Sequence, residues 1–220
     1  MERFLAYPLR DIPYVAITLM IAFTFHEFAH AYVAYKFGDL TAKKQGRLTL
    51  NPIQHLDPLG TLFIFIAGFG CRPVPVNRFF FKKPRLAGVL VSIAGPLSNF
   101  ILAVVAFVIW YGFSRAGAAS GAAFPTYLRD FLDLFIQLNI VLFVFNLLPF
   151  PPLDGYRIIE DLAPNDFRAK MTQYEAYGSL IFLILVITPL DQYTISPILY
   201  KIVPSVTDGL NQFFYQLFMQ

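Results

Sequence analysis

His26-Glu27-Phe28-Ala29-His30 places two imidazoles four residues apart with a carboxylate between them. On an α-helix such residues share a face, so both histidines can bind one metal ion while the glutamate takes a proton from a water beside it. Histidine is scarce, three residues in 220, and chance spacing is hard to invoke; the alternative is a pair of histidines buried for packing alone. From Ile12 to Tyr35 the flanking residues form an almost uninterrupted apolar run, long enough to cross a bilayer. Ionisable groups are costly in hydrocarbon and are functional candidates when found there. The expected chemistry is metal-assisted hydrolysis within a membrane.

Zinc held by two histidines needs a third protein ligand, with the fourth position left for water. Asn146-Leu147-Leu148-Pro149-Phe150-Pro151-Pro152-Leu153-Asp154-Gly155 ends an apolar run in a proline-broken stretch. Such backbone is tolerated at membrane depth where protein or water satisfies it, so Asp154 is the candidate ligand, and its charge would offset that of the metal. The competing reading is a turn aspartate before Gly155 that caps a short helix through Tyr156-Arg157-Ile158-Ile159.

These groups must be positioned by membrane elements. The chain is 57% apolar and 14% charged, with a mean hydropathy of +0.58, which describes an integral membrane protein. Without linker, repeat or low-complexity tract, residues 1–220 read as one domain, with a core over 11–160 and C-terminal helices over 175–220. The predicted class is an all-α polytopic membrane protein with about four to six transmembrane helices, a re-entrant segment and a short β-hairpin or strand near the active site. Residues 11–37, 85–113, 127–149 and 175–191 are the predicted crossings; Pro58–Gly70 is too short to cross and suits the re-entrant segment. Arg47–Leu50 alternates as a strand, and beyond Ser205 the residues Leu210, Phe213, Phe214, Leu217 and Phe218 share one face of an expected interfacial helix. The first ten residues lack a small-residue cleavage site, so no removable signal peptide is expected. The single cysteine, Cys71, is assigned to packing.

Charge sets the orientation. The stretch from Lys36 to Arg85 carries Lys43, Lys44, Arg47, Arg72, Arg78, Lys82 and Lys83 against Asp39 and Asp57, whereas 114–128 carries only Arg115. The positive-inside rule makes the first stretch cytoplasmic and the second external. The end of the histidine helix and residues 150–160 then meet on the cytoplasmic side.

With both halves in view, the chain resembles the site-2 protease family of intramembrane zinc metalloproteases, in a small form without PDZ or CBS domain. The resemblance rests on His26-Glu27-Phe28-Ala29-His30 and on Asn146-Leu147-Leu148-Pro149 through Leu153-Asp154-Gly155. It also rests on Asn51-Pro52-Ile53-Gln54-His55-Leu56-Asp57-Pro58, Arg72-Pro73-Val74-Pro75-Val76-Asn77 and Ala94-Gly95-Pro96-Leu97-Ser98-Asn99. It implies that His26, His30 and Asp154 bind one Zn2+ per chain, that Glu27 activates the water, and that Asn146 lies near the scissile bond. Cleavage of peptide bonds in or near transmembrane segments of membrane proteins would follow. The implied partners are a lipid bilayer and a transmembrane protein or peptide substrate, with no nucleic acid. Substrate choice falls to membrane segments or to a separate regulatory protein.

Three further residues have two readings each. Asn146 either bonds the oxyanion or substrate backbone, or makes an interhelical hydrogen bond. Asn99 either orients the site or joins helices. His55 either approaches the active site from the cytoplasmic side and contacts substrate or oxyanion, or holds backbone carbonyls in a proline-bounded turn; as a fourth ligand it would displace the catalytic water. The Arg47–Leu50 strand is a candidate edge for an unwound substrate. Rival classes are a metal transporter or permease, against which no inverted repeat is visible, and a non-catalytic zinc-binding scaffold.

Overall fold

The structure, a computed structural model, describes residues 7–55, 74–120 and 125–219. The helices are α1 (Ile12–Lys36), α2 (Thr41–Lys44), α3 (Pro84–Ser120), α4 (Thr126–Asn146), α5 (Asp154–Leu162), α6 (Asn165–Ile187), α7 (Asp191–Thr194) and α8 (Ser196–Met219). Single 3-10 turns lie at Pro52–Gln54 and Arg78–Phe80. By length and composition, two helices among the described residues are long and apolar enough to cross a membrane, α1 and the first 34 residues of α3.

Pro13 lies in the first turn of α1, where its missing N–H costs no intrahelical bond. Gly38, at φ 105°, turns the chain out of the helix, in a conformation that a side chain rarely adopts. Between these ends α1 packs along α3 and α4, with Val15, Leu19, Ala22 and Phe23 against Leu138 and Leu142 of α4. A second core joins α3, α4 and α8 through Phe107, Tyr111, Phe135, Ile140 and Phe214. α5 packs against α3, which brings the segment after α4 back beneath the three-helix core.

The C-terminal region departs from expectation. α8 begins at Ser196 and runs along the bundle: Leu199 packs near Leu148, and Phe214 stacks on Phe107 at 5.5 Å. At the far end Arg115 Nη1 donates to Phe218 O at 2.7 Å. Phe214 is therefore buried in the core with Leu210 and Phe218 packed half-buried against it, while Phe213 and Leu217 of the same predicted face stay exposed. α6 starts ten residues before the expected crossing, because its polar first half packs on α5: Tyr156 Oη donates to Met171 O at 2.7 Å. Thr188-Pro189 then ends it.

No strand occurs among the described residues; 48–50 form bends instead. Local bonds hold the stretch, with Arg47 N donating to Ala42 O at 2.9 Å, Asn51 N to Thr49 Oγ1 at 3.1 Å, and Thr49 O accepting from His55. The expected re-entrant segment Pro58–Gly70 and Cys71 lie outside the described residues.

Candidate active site

His26, Glu27 and His30 sit in the second half of α1 and are all buried. At about 1.5 Å per residue, His30 is about 9 Å along the axis from the end of α1 at Lys36. Two hydrogen-bond chains settle the ring tautomers. Asn139 Nδ2 donates to the backbone oxygen of Phe135 at 2.8 Å, so Asn139 Oδ1 faces Asn99. Asn99 Nδ2 donates to that oxygen at 3.2 Å and to Ala22 O at 3.3 Å, which turns Asn99 Oδ1 toward His26 Nδ1 at 2.8 Å. His26 Nδ1 must therefore carry the proton, leaving a lone pair on Nε2. His30 Nδ1 likewise donates to Val91 O at 2.7 Å, and its Nε2 is left bare.

The two bare nitrogens stand 3.0 Å apart. Asp154 Oδ2 lies 3.2 Å from His26 Nε2 and 3.4 Å from His30 Nε2, buried and without a hydrogen-bond donor among the described residues. Three acceptors without a shared proton repel one another unless a cation sits among them, and the donor set, two imidazole nitrogens and one carboxylate oxygen, suits zinc with one position left over. Gly95 of α3 closes the far side: a Cβ there would collide with His30 Nε2 and Cε1 and lie 2.6 Å from His26 Nε2. The residues present fit the metal.

Asp154 reaches this point because α5 starts tightly against the end of α4. A Cβ on Gly155 would strike the carbonyl oxygens of Leu147 and Leu148, so only glycine lets the two helix ends meet. The capping position belongs to Leu153, and no side chain caps the helix. The reading of Asp154 as a cap is thereby set aside. Glu27 stands apart from the three converging atoms; its Oε2 accepts the Val74 N–H at 2.6 Å.

The model of peptidase family M50 matches residues 14–127 and 116–188. The chain is similar to a Bacillus subtilis protein named Putative zinc metalloprotease YwhC, 65% identical over 200 residues that make up 90% of this chain and 91% of that one. The chain belongs to peptidase family M50. It is also similar to Putative zinc metalloprotease Rip2 of Mycolicibacterium smegmatis, 30% identical over 82% of this chain and 71% of the relative. Putative zinc metalloprotease MJ0611 of Methanocaldococcus jannaschii is 28% identical over 70% of this chain and 75% of its own. No solved structure matches. The site-2 protease resemblance of the sequence is thus met, and His26, His30 and Asp154 form a group that could hold the metal ion for which these relatives are named.

Within the M50 chain the remaining candidates fall in different places. Asn146, half-buried at the end of α4, donates from Nδ2 to Leu142 O of its own helix at 2.9 Å rather than across to a neighbour. His55 is 1% exposed and donates from Nε2 to Thr49 O at 2.8 Å, as a loop-holding imidazole does; its Nδ1 is buried with no partner among the described residues. Asn99 orients His26. Sequence reasoning missed Asn139, which locks Asn99, although an amide inside the apolar run Leu138-Asn139-Ile140 was a usable signal.

Proposed function

We propose that this chain is an intramembrane zinc endopeptidase that hydrolyses peptide bonds in or beside transmembrane segments of other membrane proteins. The observation that carries the reading is the convergence of His26 Nε2, His30 Nε2 and Asp154 Oδ2, all stripped of protons, with the buried Glu27 between the two histidines in the chain. These three residues would hold the metal. Zinc bound there supplies a Lewis acid that acidifies a water and polarises the scissile carbonyl.

The protein's own groups do the rest. Glu27 accepts the proton of the attacking water on its carboxylate and returns it to the leaving amine nitrogen. The Val74 N–H on Oε2 fixes the carboxylate's orientation for this transfer. Asn99 and Val91 keep the imidazole protons on Nδ1, so both Nε2 atoms face the metal. Asn146 and His55 are proposed to contact the unwound substrate, each by the group its local bond leaves over. Access is proposed from the cytoplasmic side, supported by the basic residues between Lys36 and Arg85 and by the short distance from His30 to the end of α1. The supporting experiment is co-expression with a panel of single-span membrane proteins, comparing the wild type with Glu27→Gln. Loss of a full-length substrate only with the wild type is the expected result; equal loss in both refutes the assignment.

A further inference from the structure

Residues 74–80 form a strap tied at three points. Val74 N–H donates to Glu27 Oε2 at 2.6 Å and Asn77 N–H to Asp39 Oδ2 at 2.6 Å, just beyond the end of α1. Four residues after Val74, Arg78 reaches the far end of α5: Nη1 donates to Glu160 Oε2 at 2.9 Å, and Nη2 is ion-paired with Asp161 Oδ2 at 2.9 Å without hydrogen-bond geometry. Both carboxylates are buried, at 1% and 0% exposure. Buried charge costs several kcal/mol when left unpaired, so this end of α5 is stable only where its partners meet it. Of the three arginines that reach the pair, Arg157 and Arg168 belong to α5 and α6 themselves. Arg78 comes from outside.

The geometry connects this clamp to the metal site. Asp161 follows Asp154 by seven residues, two turns on one face of α5, and Gly88 precedes Gly95 by seven on one face of α3. Gly95 faces the histidines beside Asp154, and a Cβ at Gly88 would collide with the Asp161 carboxylate. The two helices are therefore matched at two levels about 10 Å apart, one at the metal site and one at the clamp. Sliding α5 to suit one level breaks the other. Burial raises the Asp161 carboxyl even with Arg78 and Arg168 beside it, so it has no charge partner to spare.

We propose that Arg78 is a positioning residue that holds Asp154 at the metal by fixing the register of α5 against the strap that touches Glu27. This rests on the zinc reading of the site given above. The planar fork engages two neighbouring carboxylates at once, which the point charge of a lysine does not.

The test is the rate at which purified, zinc-loaded full-length protein releases its metal to a chelating dye, read beside its thermal unfolding. Arg78→Gln is expected to release zinc at least about tenfold faster, the scale on which supporting groups act on metal sites, with Arg78→Lys in between. Arg168→Gln breaks a pair to the same Asp161 but within the α5–α6 unit; it is expected to lower the unfolding temperature while releasing zinc within about twofold of the wild-type rate. Wild-type release by Arg78→Gln overturns the proposal, as does equal acceleration by Arg168→Gln. Where Arg78→Gln does not fold, Arg78→Lys is decisive, and wild-type release by it overturns the proposal. A wild type that holds zinc but cleaves nothing fails the peptidase reading alone and leaves the release comparison standing.

Discussion

Gly95→Ala separates the metal site from the fold. The added Cβ would stand 2.6 Å from His26 Nε2 and nearer to His30, about 0.8 Å short of the 3.4 Å at which ordinary contact begins. Zinc–imidazole bonds of about 2.0–2.1 Å tolerate deviations of about 0.2 Å, so the forced displacement is about four times the tolerance. Neither ring can swing freely, since each is held at Nδ1, one by Asn99 and the other by Val91 O. Breaking both bonds costs about 1 kcal/mol apiece, and imperfect coordination adds to this. The expected loss of zinc affinity is about hundredfold or more, near 2.8 kcal/mol at about 1.4 per tenfold. In the interior of α3 the same change favours the helix by roughly 0.5–1 kcal/mol. The helix gain offsets only part of the cost of moving the rings, so zinc per chain, by elemental analysis of purified protein, is predicted to fall toward zero, while unfolding in excess chelator comes only slightly earlier, by the roughly 1 kcal/mol that remains. A Gly95→Ala protein with full zinc and wild-type cleavage would refute the geometry of the site.

Asn99→Ala removes the acceptor that keeps the His26 proton on Nδ1 and should weaken zinc binding about 10- to 100-fold by chelator competition; unchanged affinity would mean that the amide chain only joins helices. Asp154→Ala should lose metal and activity together, because no other donor approaches the two Nε2 atoms among the described residues; full zinc occupancy removes it from the ligand set. His55→Ala should keep zinc stoichiometry while lowering cleavage, and loss of metal would place it among the ligands, whereas normal cleavage would leave it a loop-holding residue.

The parts of the site visible in the sequence are those set by local geometry. Residues four apart on one helix face neighbour each other whatever the fold, so His26 and His30 were legible at once. Asp154 was legible by charge logic, as an anionic group in a broken stretch brought to the same side by counting crossings. Asn139 was not, because its meaning depends on Asn99, forty residues away on another helix. The Val74 N–H on Glu27 is a backbone group and carries no side-chain signature. Arg47–Leu50 had the alternation but pairs with no strand among the described residues, where Ala42 O takes the Arg47 N–H and His55 the Thr49 carbonyl. For the tail, an apolar stripe suits a lipid interface and a helix core alike, and the rings of Phe107 and Tyr111 made it core.

The most direct test of the central claim uses wild type and Glu27→Gln, each purified with zinc bound and incubated in detergent or vesicles with a single-span substrate found by co-expression. Mass spectrometry of the fragments locates the cut. Both proteins should contain one zinc per chain, and only the wild type should yield fragments, with the cut in or beside the transmembrane segment. Turnover by Glu27→Gln, or loss of its zinc, would contradict the division of labour between the proton-transferring carboxylate and the His26–His30–Asp154 ligand set.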